Sequence, residues 1–280
     1  MTTDSTAAAG DRRVLGYFVL TYAISWTLWV GGAALGTDAA TWPVLSTLAG
    51  FGPLVAGGVL SWREGRLRGW ARQAWRWRVD ARWWAVALLG APALSLVGYG
   101  LYVAATGVSL GLADGPLPIV YLTLFAYILL LRGGFGEELG WRGYALPHLA
   151  QRYTTTVAAL LVGVAWAGWH LPLFFVQGTS QSGPFALYLV GVVGLSVVLA
   201  WLYVRAAGSV LLAAVFHAQW NVFDSGALFS LSGEGSLLAP TASAAVVRAV
   251  AIALVVADPG TMRSSQPRIG PLDRGGPTDD

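Results

Sequence analysis

The sequence predicts an all-α fold, a polytopic transmembrane helical bundle of about eight spans, and three observations predict it. The first is composition. Of 280 residues 56% are hydrophobic and only 11% charged, with a mean hydropathy of +0.61, whereas soluble domains average about 25% charged. The second is the recurrence of apolar runs near the ~20 residues needed to cross a hydrocarbon core. The third is a segregation of Arg. Take the N-terminus, the loops after the second, fourth and sixth runs, and the C-terminus as one side. That side holds Arg12, Arg13, seven Arg between residues 63 and 82, Arg152, Arg205, Arg263, Arg268 and Arg274. The opposite loops, near 37–42, 107–115, 177–184 and 231–240, hold none. The positive-inside rule then makes a multi-pass protein of the cell (cytoplasmic) membrane with both termini cytoplasmic.

Each element follows in order. Residues 1–13 read as a cytoplasmic N-terminal tail and 14–257 as the transmembrane domain. The first run, 14–36, follows Arg12 and Arg13 as a secretory signal would, but its length is that of a retained span. The second covers 43–62. The loop 63–82 interleaves its Arg with Trp70, Trp75 and Trp77 and reads as an interfacial helix, Arg toward anionic headgroups and Trp at the boundary. Runs at 83–106, 116–132 or beyond, 154–176, 185–204 and 209–230 follow. The last, 241–257, is short and carries Arg248, so it is expected as an interfacial or incompletely inserted helix. Residues 258–280, rich in Pro, Gly, Ser and charge, read as a disordered cytoplasmic tail.

Composition also excludes chemistry. With no Cys there are no disulfides, thiolate metal sites or Cys nucleophile. The pI near 9.4 is not a nucleic-acid signature, because the excess Arg sits beside the spans.

The polar residues inside the spans carry the chemistry. Glu137, Glu138 and Arg142 lie in an apolar segment, where each charge costs at least ~2.5 to 3.5 kcal/mol and so marks a functional site. His170 and His217, two of only three His, also fall inside spans. The fourth and fifth runs form an antiparallel pair turning near Arg152. Counted from that turn, Glu138 and His170 reach similar depths, ~21 Å and ~27 Å, and His217 enters from the same side at ~18 Å. Glu138 and Arg142 at i and i+4 share a face and can pair, while Glu137 points about 100° away. His217 and Asn221, also at i and i+4, aim an imidazole and an amide at one spot. Gly133, Gly134, Gly136 and Gly140 allow close helix approach or a kink. His148 reads as interfacial and structural. Trp141, Trp169 and Trp220 each neighbour a motif residue and are candidates for lining a cavity or for packing, and Asp224 for supporting Asn221 or lying at the interface.

These residues carry a family resemblance. Glu137-Glu138-Leu139-Gly140-Trp141-Arg142 matches EExxxR, Trp166 to His170 matches FxxxH with Trp in place of Phe, and His217 to Asn221 matches HxxxN, in order, within 118–225. In these motifs the chain resembles the CAAX-protease and bacteriocin-processing family of intramembrane proteases, which includes the type II CAAX prenyl endopeptidases. The resemblance implies an endopeptidase acting on membrane-anchored or lipid-modified polypeptides in a cavity open to the cytoplasmic side. Glu137 would activate water, His170 would hold it, His217 and Asn221 would stabilise the oxyanion, and Glu138 and Arg142 would orient the site. A divalent metal such as zinc, held by Glu137, His170 and His217, is one scheme; a glutamate-activated water with no cofactor is the other and is favoured. Trp166 is expected to alter packing more than chemistry.

Two other classes fit the same residues. A non-catalytic membrane partner or bacteriocin-immunity protein would keep the fold without turnover. A proton-coupled transporter would use Glu137, Glu138, His170 and His217 as a relay, against which stands the lack of an inverted repeat.

Overall fold

The computed structural model describes residues 2–177, 179, 181, 183–231 and 238–264, with the side chains of 2–11, 231 and 238–240 left out. The helices are α1 (Thr2–Ala34), α2 (Trp42–Ala49), α3 (Gly52–Arg63), α4 (Leu67–Arg72), α5 (Ala81–Thr106), α6 (Leu117–Leu131), α7 (Gly134–Gly140), α8 (Leu146–Leu149), α9 (Thr155–Trp169), α10 (Phe185–Arg205), α11 (Val210–Asp224), α12 (Leu238–Ala257) and α13 (Pro259–Met262). Short strands β1 (Leu110–Leu112) and β2 (Phe229–Leu231) form an antiparallel ribbon. The fold is all-α and multi-pass.

A helix stands in each of the eight apolar runs, but the runs are not equivalent spans. Among the described residues five helices are long and apolar enough to cross a membrane, or six if α2 and α3, bent by 44° at Gly50 and Phe51, count as one. The shortfall has a cause. α11 has only 15 residues and carries His217, Gln219, Asn221 and Asp224, yet most of it is buried, so neighbouring helices shield it rather than lipid. α12 packs between α5 and α10 through small residues. A Cβ on Gly98 would collide with the Ser243 backbone, and one on Gly194 would press on Arg248.

Local sequence sets the breaks that matter. The motif segment is interrupted at Arg132, which is extended, and Gly133, whose φ of 74° suits only glycine. α7 then runs into a π turn, Trp141–Ala145, before α8. Pro147 has no N–H to offer the Gly143 carbonyl four residues back. α9 stops at Trp169 because Pro172 follows, and a 3-10 turn, Leu171–Phe175, takes over.

The two loop sets gather at opposite ends. At the Arg-rich end Glu64 accepts from Tyr144 Oη (2.7 Å) and lies 3.4 Å from His148 Nε2. Arg76 donates to the Ala207 carbonyl and its own carbonyl accepts from Ser209 (2.7 Å). The stretch from Asp258, expected as a tail, begins with α13 docked on the bundle: Asp258 pairs with Arg205 (2.7 Å) and accepts from Trp201 Nε1 (3.0 Å). Thr155 and Thr156 donate to the carbonyls of Ser264 (3.3 Å) and Met262 (2.8 Å). Residues 265–280 of that expected tail lie outside the described residues. The N-terminal segment is helical from Thr2, in keeping with its run of Ala. At the Arg-poor end the β1–β2 ribbon joins the loops after α5 and α11.

Candidate active site

The three motifs converge. Glu138 and Arg142, both fully buried, pair at 3.0 Å across one helical turn. His217 brings Nδ1 to 2.8 Å from the same Glu138 oxygen. A buried carboxylate beside a guanidinium accepts, so His217 carries its proton on Nδ1. Arg142 also lies over the Trp166 ring, 4.6 Å from its centroid. Removing Glu138 or Arg142 would strand the other's charge in a dry interior.

Glu137 turns the other way, and Trp166 Nε1 donates to its Oε2 at 2.5 Å. This corrects the expectation for Trp166. A Phe could pack there but could not donate, so the Trp fixes the Glu137 carboxylate directly. The signal that could have found it was the polar handle of Trp, which seeks a partner when buried.

His170 caps α9 and directs Nδ1 at the Trp166 carbonyl, 3.1 Å away. A carbonyl only accepts, so Nδ1 donates and Nε2 keeps a free lone pair. His170 and Glu137 both line a polar crevice of about 310 Å³, its open mouth included, together with Gly133, Arg132, Trp29 and Trp169. Beside Gly133 stand the third motif's side chains. A Cβ on Gly133 would sit 3.0 Å from Asn221 Nδ2 and 3.1 Å from His217 Nε2, so glycine keeps the space before both nitrogens open. Trp169 lines the crevice; Trp141 packs edge-on against Tyr17 and Trp169 in the core, as does Trp220 with other apolar side chains. His148 lies apart, bonded to the Tyr144 carbonyl (2.7 Å) at the Arg-rich end.

Among the described residues no group of three or more His, Asp or Glu is arranged to hold a metal. Glu137, His170 and His217 are not placed as such a set. No step below runs through a metal.

The loop 63–82 also departs from its expected place. Trp75 and Trp77 are exposed as expected of interfacial residues, but Trp70 is buried and donates Nε1 to the Leu139 carbonyl (2.9 Å). Gln73 donates to the Gly143 carbonyl (3.1 Å) and accepts from Tyr203 Oη (2.6 Å). The carbonyl that Pro147 leaves without its helical donor is thus what draws the loop inward.

The fold and site define a multi-pass helical membrane protein with buried Glu and His side chains, and a half-buried Asn, gathered beside a polar crevice. Residues 118–223 match the family model described as type II CAAX prenyl endopeptidase Rce1-like. Over 103 residues the chain is 35% identical to CAAX prenyl protease 2 of Methanococcus maripaludis, a match covering 34% of this chain and 38% of that relative. Through this segment the chain is similar to the CAAX protease family. The match spans little more than a third of the length of the curated relative.

Proposed function

We propose that the protein is an intramembrane endopeptidase that hydrolyses peptide bonds of membrane-anchored or lipid-modified polypeptides with a Glu-activated water. One observation carries the reading: Glu137 and His170 line the same polar crevice, with the nitrogens of His217 and Asn221 across the space beside Gly133. The similarity to a CAAX prenyl protease over the motif segment supports it.

Water between Glu137 and His170 gives a proton to the Glu137 carboxylate as its oxygen attacks the peptide carbonyl carbon. His170 accepts the other water hydrogen at Nε2 and holds the oxygen in line. The developing oxyanion meets Asn221 Nδ2 and His217 Nε2, each such donor supplying ~2.7 to 4 kcal/mol. His217 is oriented there by the bond from its Nδ1 to Glu138. The C–N bond then breaks as Glu137 returns its proton to the leaving nitrogen, giving a carboxylic acid and an amine, the acid passing its remaining proton to the amine on release. Trp166 holds Glu137 in place, and Arg142 holds Glu138.

The test is cleavage of fluorogenic membrane-anchored peptides by purified protein in lipid nanodiscs. Wild type cuts, while Glu137→Gln and His170→Ala, folded to the same thermal stability, do not. Equal cleavage by Glu137→Gln would overturn the assignment.

A further inference from the structure

We infer that Arg132 is the anion-binding residue of the crevice and receives a carboxylate of the bound polypeptide, from its chain end or from an acidic side chain, close to the scissile bond. The inference rests on the protease reading only in calling that polypeptide a substrate.

Three of the 17 Arg fall inside the apolar runs: Arg132, Arg142 and Arg248. Arg142 is buried and paired with Glu138, and Arg248 stands against Gly194 where α12 meets α10. Arg132 differs from both. It is exposed, it lines the crevice with Glu137 and His170, and among the described residues its guanidinium makes no hydrogen bond or ion pair. A guanidinium has several N–H donors and no acceptor, and a charge within a span is costly enough to mark a functional site. Its place at the C-terminus of α6 suits a cation, because the helix dipole is negative there, yet this leaves the donors free for a ligand.

The backbone holds Arg132 beside the reacting atoms. It is extended, with φ −144° and ψ 127°, and Gly133 follows with φ 74°. Asn221 Nδ2 and His217 Nε2 lie 3.0 and 3.1 Å from where a Cβ on Gly133 would stand, and the Arg132 Cα is a single step of ~3.8 Å from the Gly133 Cα. A polypeptide whose carbonyl meets those nitrogens advances ~3.3 Å per extended residue, so a carboxylate within a few residues of that carbonyl comes to the guanidinium. Charge and size select the ligand. The carboxylate that the crevice itself supplies, Glu137, is engaged by Trp166, and the two oxygens of a second carboxylate match the guanidinium fork. A volume of about 310 Å³ is at the small end of ligand pockets, ~300–1,000 Å³, and suits a short stretch of chain better than a phospholipid.

The test is binding without turnover, in full-length protein carrying Glu137→Gln, held in nanodiscs of zwitterionic lipid that expose both faces. A fluorescent membrane-anchored peptide is made with a free C-terminus, with a C-terminal carboxamide, and with the carboxamide plus an Asp moved through its last few residues. Binding is read by anisotropy against empty nanodiscs. Expected is at least one carboxylate form binding ~10-fold or more tightly than the neutral form, as a charge-assisted pair requires. Arg132→Gln abolishes that preference, and Arg132→Lys, which keeps the charge and loses the fork, retains part of it. Preference for the free C-terminus assigns the carboxylate to the chain end, and preference for an Asp form assigns it to a side chain. Equal binding of all forms, or a preference that survives Arg132→Gln, would overturn the inference. So would an Arg132→Gln effect confined to the retention of anionic lipid, which would give the guanidinium to a headgroup. Because binding is read without turnover, its failure is separate from equal cleavage by Glu137→Gln, which strikes the protease reading alone.

Discussion

At the residue scale the two adjacent acids divide the work. Glu137 takes a neutral donor, Trp166, and faces the crevice, while Glu138 takes Arg142 and His217 and faces the core. Their substitutions should differ accordingly. Glu138→Ala leaves Arg142 uncompensated and should cost about 3–5 kcal/mol, read as a lowered Tm in nanodiscs, whereas Glu137→Gln keeps the stability and loses the cleavage. Trp166→Phe keeps the ring over which Arg142 lies and deletes one N–H to a carboxylate. A hydrogen bond of that kind is worth about 1.5–3 kcal/mol, so kcat should fall roughly 10- to 100-fold with little change in KM. An unchanged kcat would mean that the indole packs and nothing more. The motif pairs were legible because i and i+4 spacing fixes a shared face. The Trp166 contact was not, since an aromatic replacing an aromatic suggests packing until its partner across 29 residues is located.

At the element scale, long apolar runs revealed their helices, and irregular backbone hid what it did. The presence of Pro147 and Pro172 is compatible with the breaks found there. It did not show that the uncovered Gly143 carbonyl would recruit Gln73 from a loop whose Arg and Trp content suggests a membrane surface. The docked α13 was missed for a similar reason, since its composition is that of a tail and its hold comes from side chains on α9 and α10. That hold is pH-dependent. Partial burial opposes the charge of Asp258, but hydrogen bonds from Trp201 and Thr261 and the Arg205 guanidinium outweigh it and keep its carboxyl below the usual range. A lowered folded pKa gives stability that is full above the unfolded value near ~4 and lost as pH falls through the folded one. Proteolysis at the α12–α13 junction should therefore stay slow at neutral pH and accelerate below about pH 4. Asp258→Asn should be cut faster already at pH 7, and an equal rate would show that the Thr155 and Thr156 contacts suffice.

At the scale of the whole molecule, the segregation of Arg was readable from sequence and matches two groups of loops at opposite ends. The number of true spans was not, because hydropathy cannot tell a helix shielded by protein, such as α11, from one bathed in lipid. The ends also differ in how they are tied. Side chains bind loop to loop around the Arg-rich end through Glu64, Arg76, Gln73, Asp258, Thr155 and Thr156, while among the described residues the opposite end is joined by the short β1–β2 ribbon and by Trp29 and Tyr99, which donate to the Ser46 and Phe223 carbonyls. A bundle fastened in this way behaves as a clothes-peg, with its fulcrum among the arginines and its jaws at the other end. Amide exchange should accordingly be slow in the first turns of α9 and faster around Trp169 and in the turn that follows. Uniform protection along α9 would contradict this. Spreading of the jaws would widen the crevice beside His170 without disturbing the Glu138, Arg142 and His217 cluster, letting a polypeptide in while the catalytic floor keeps its shape.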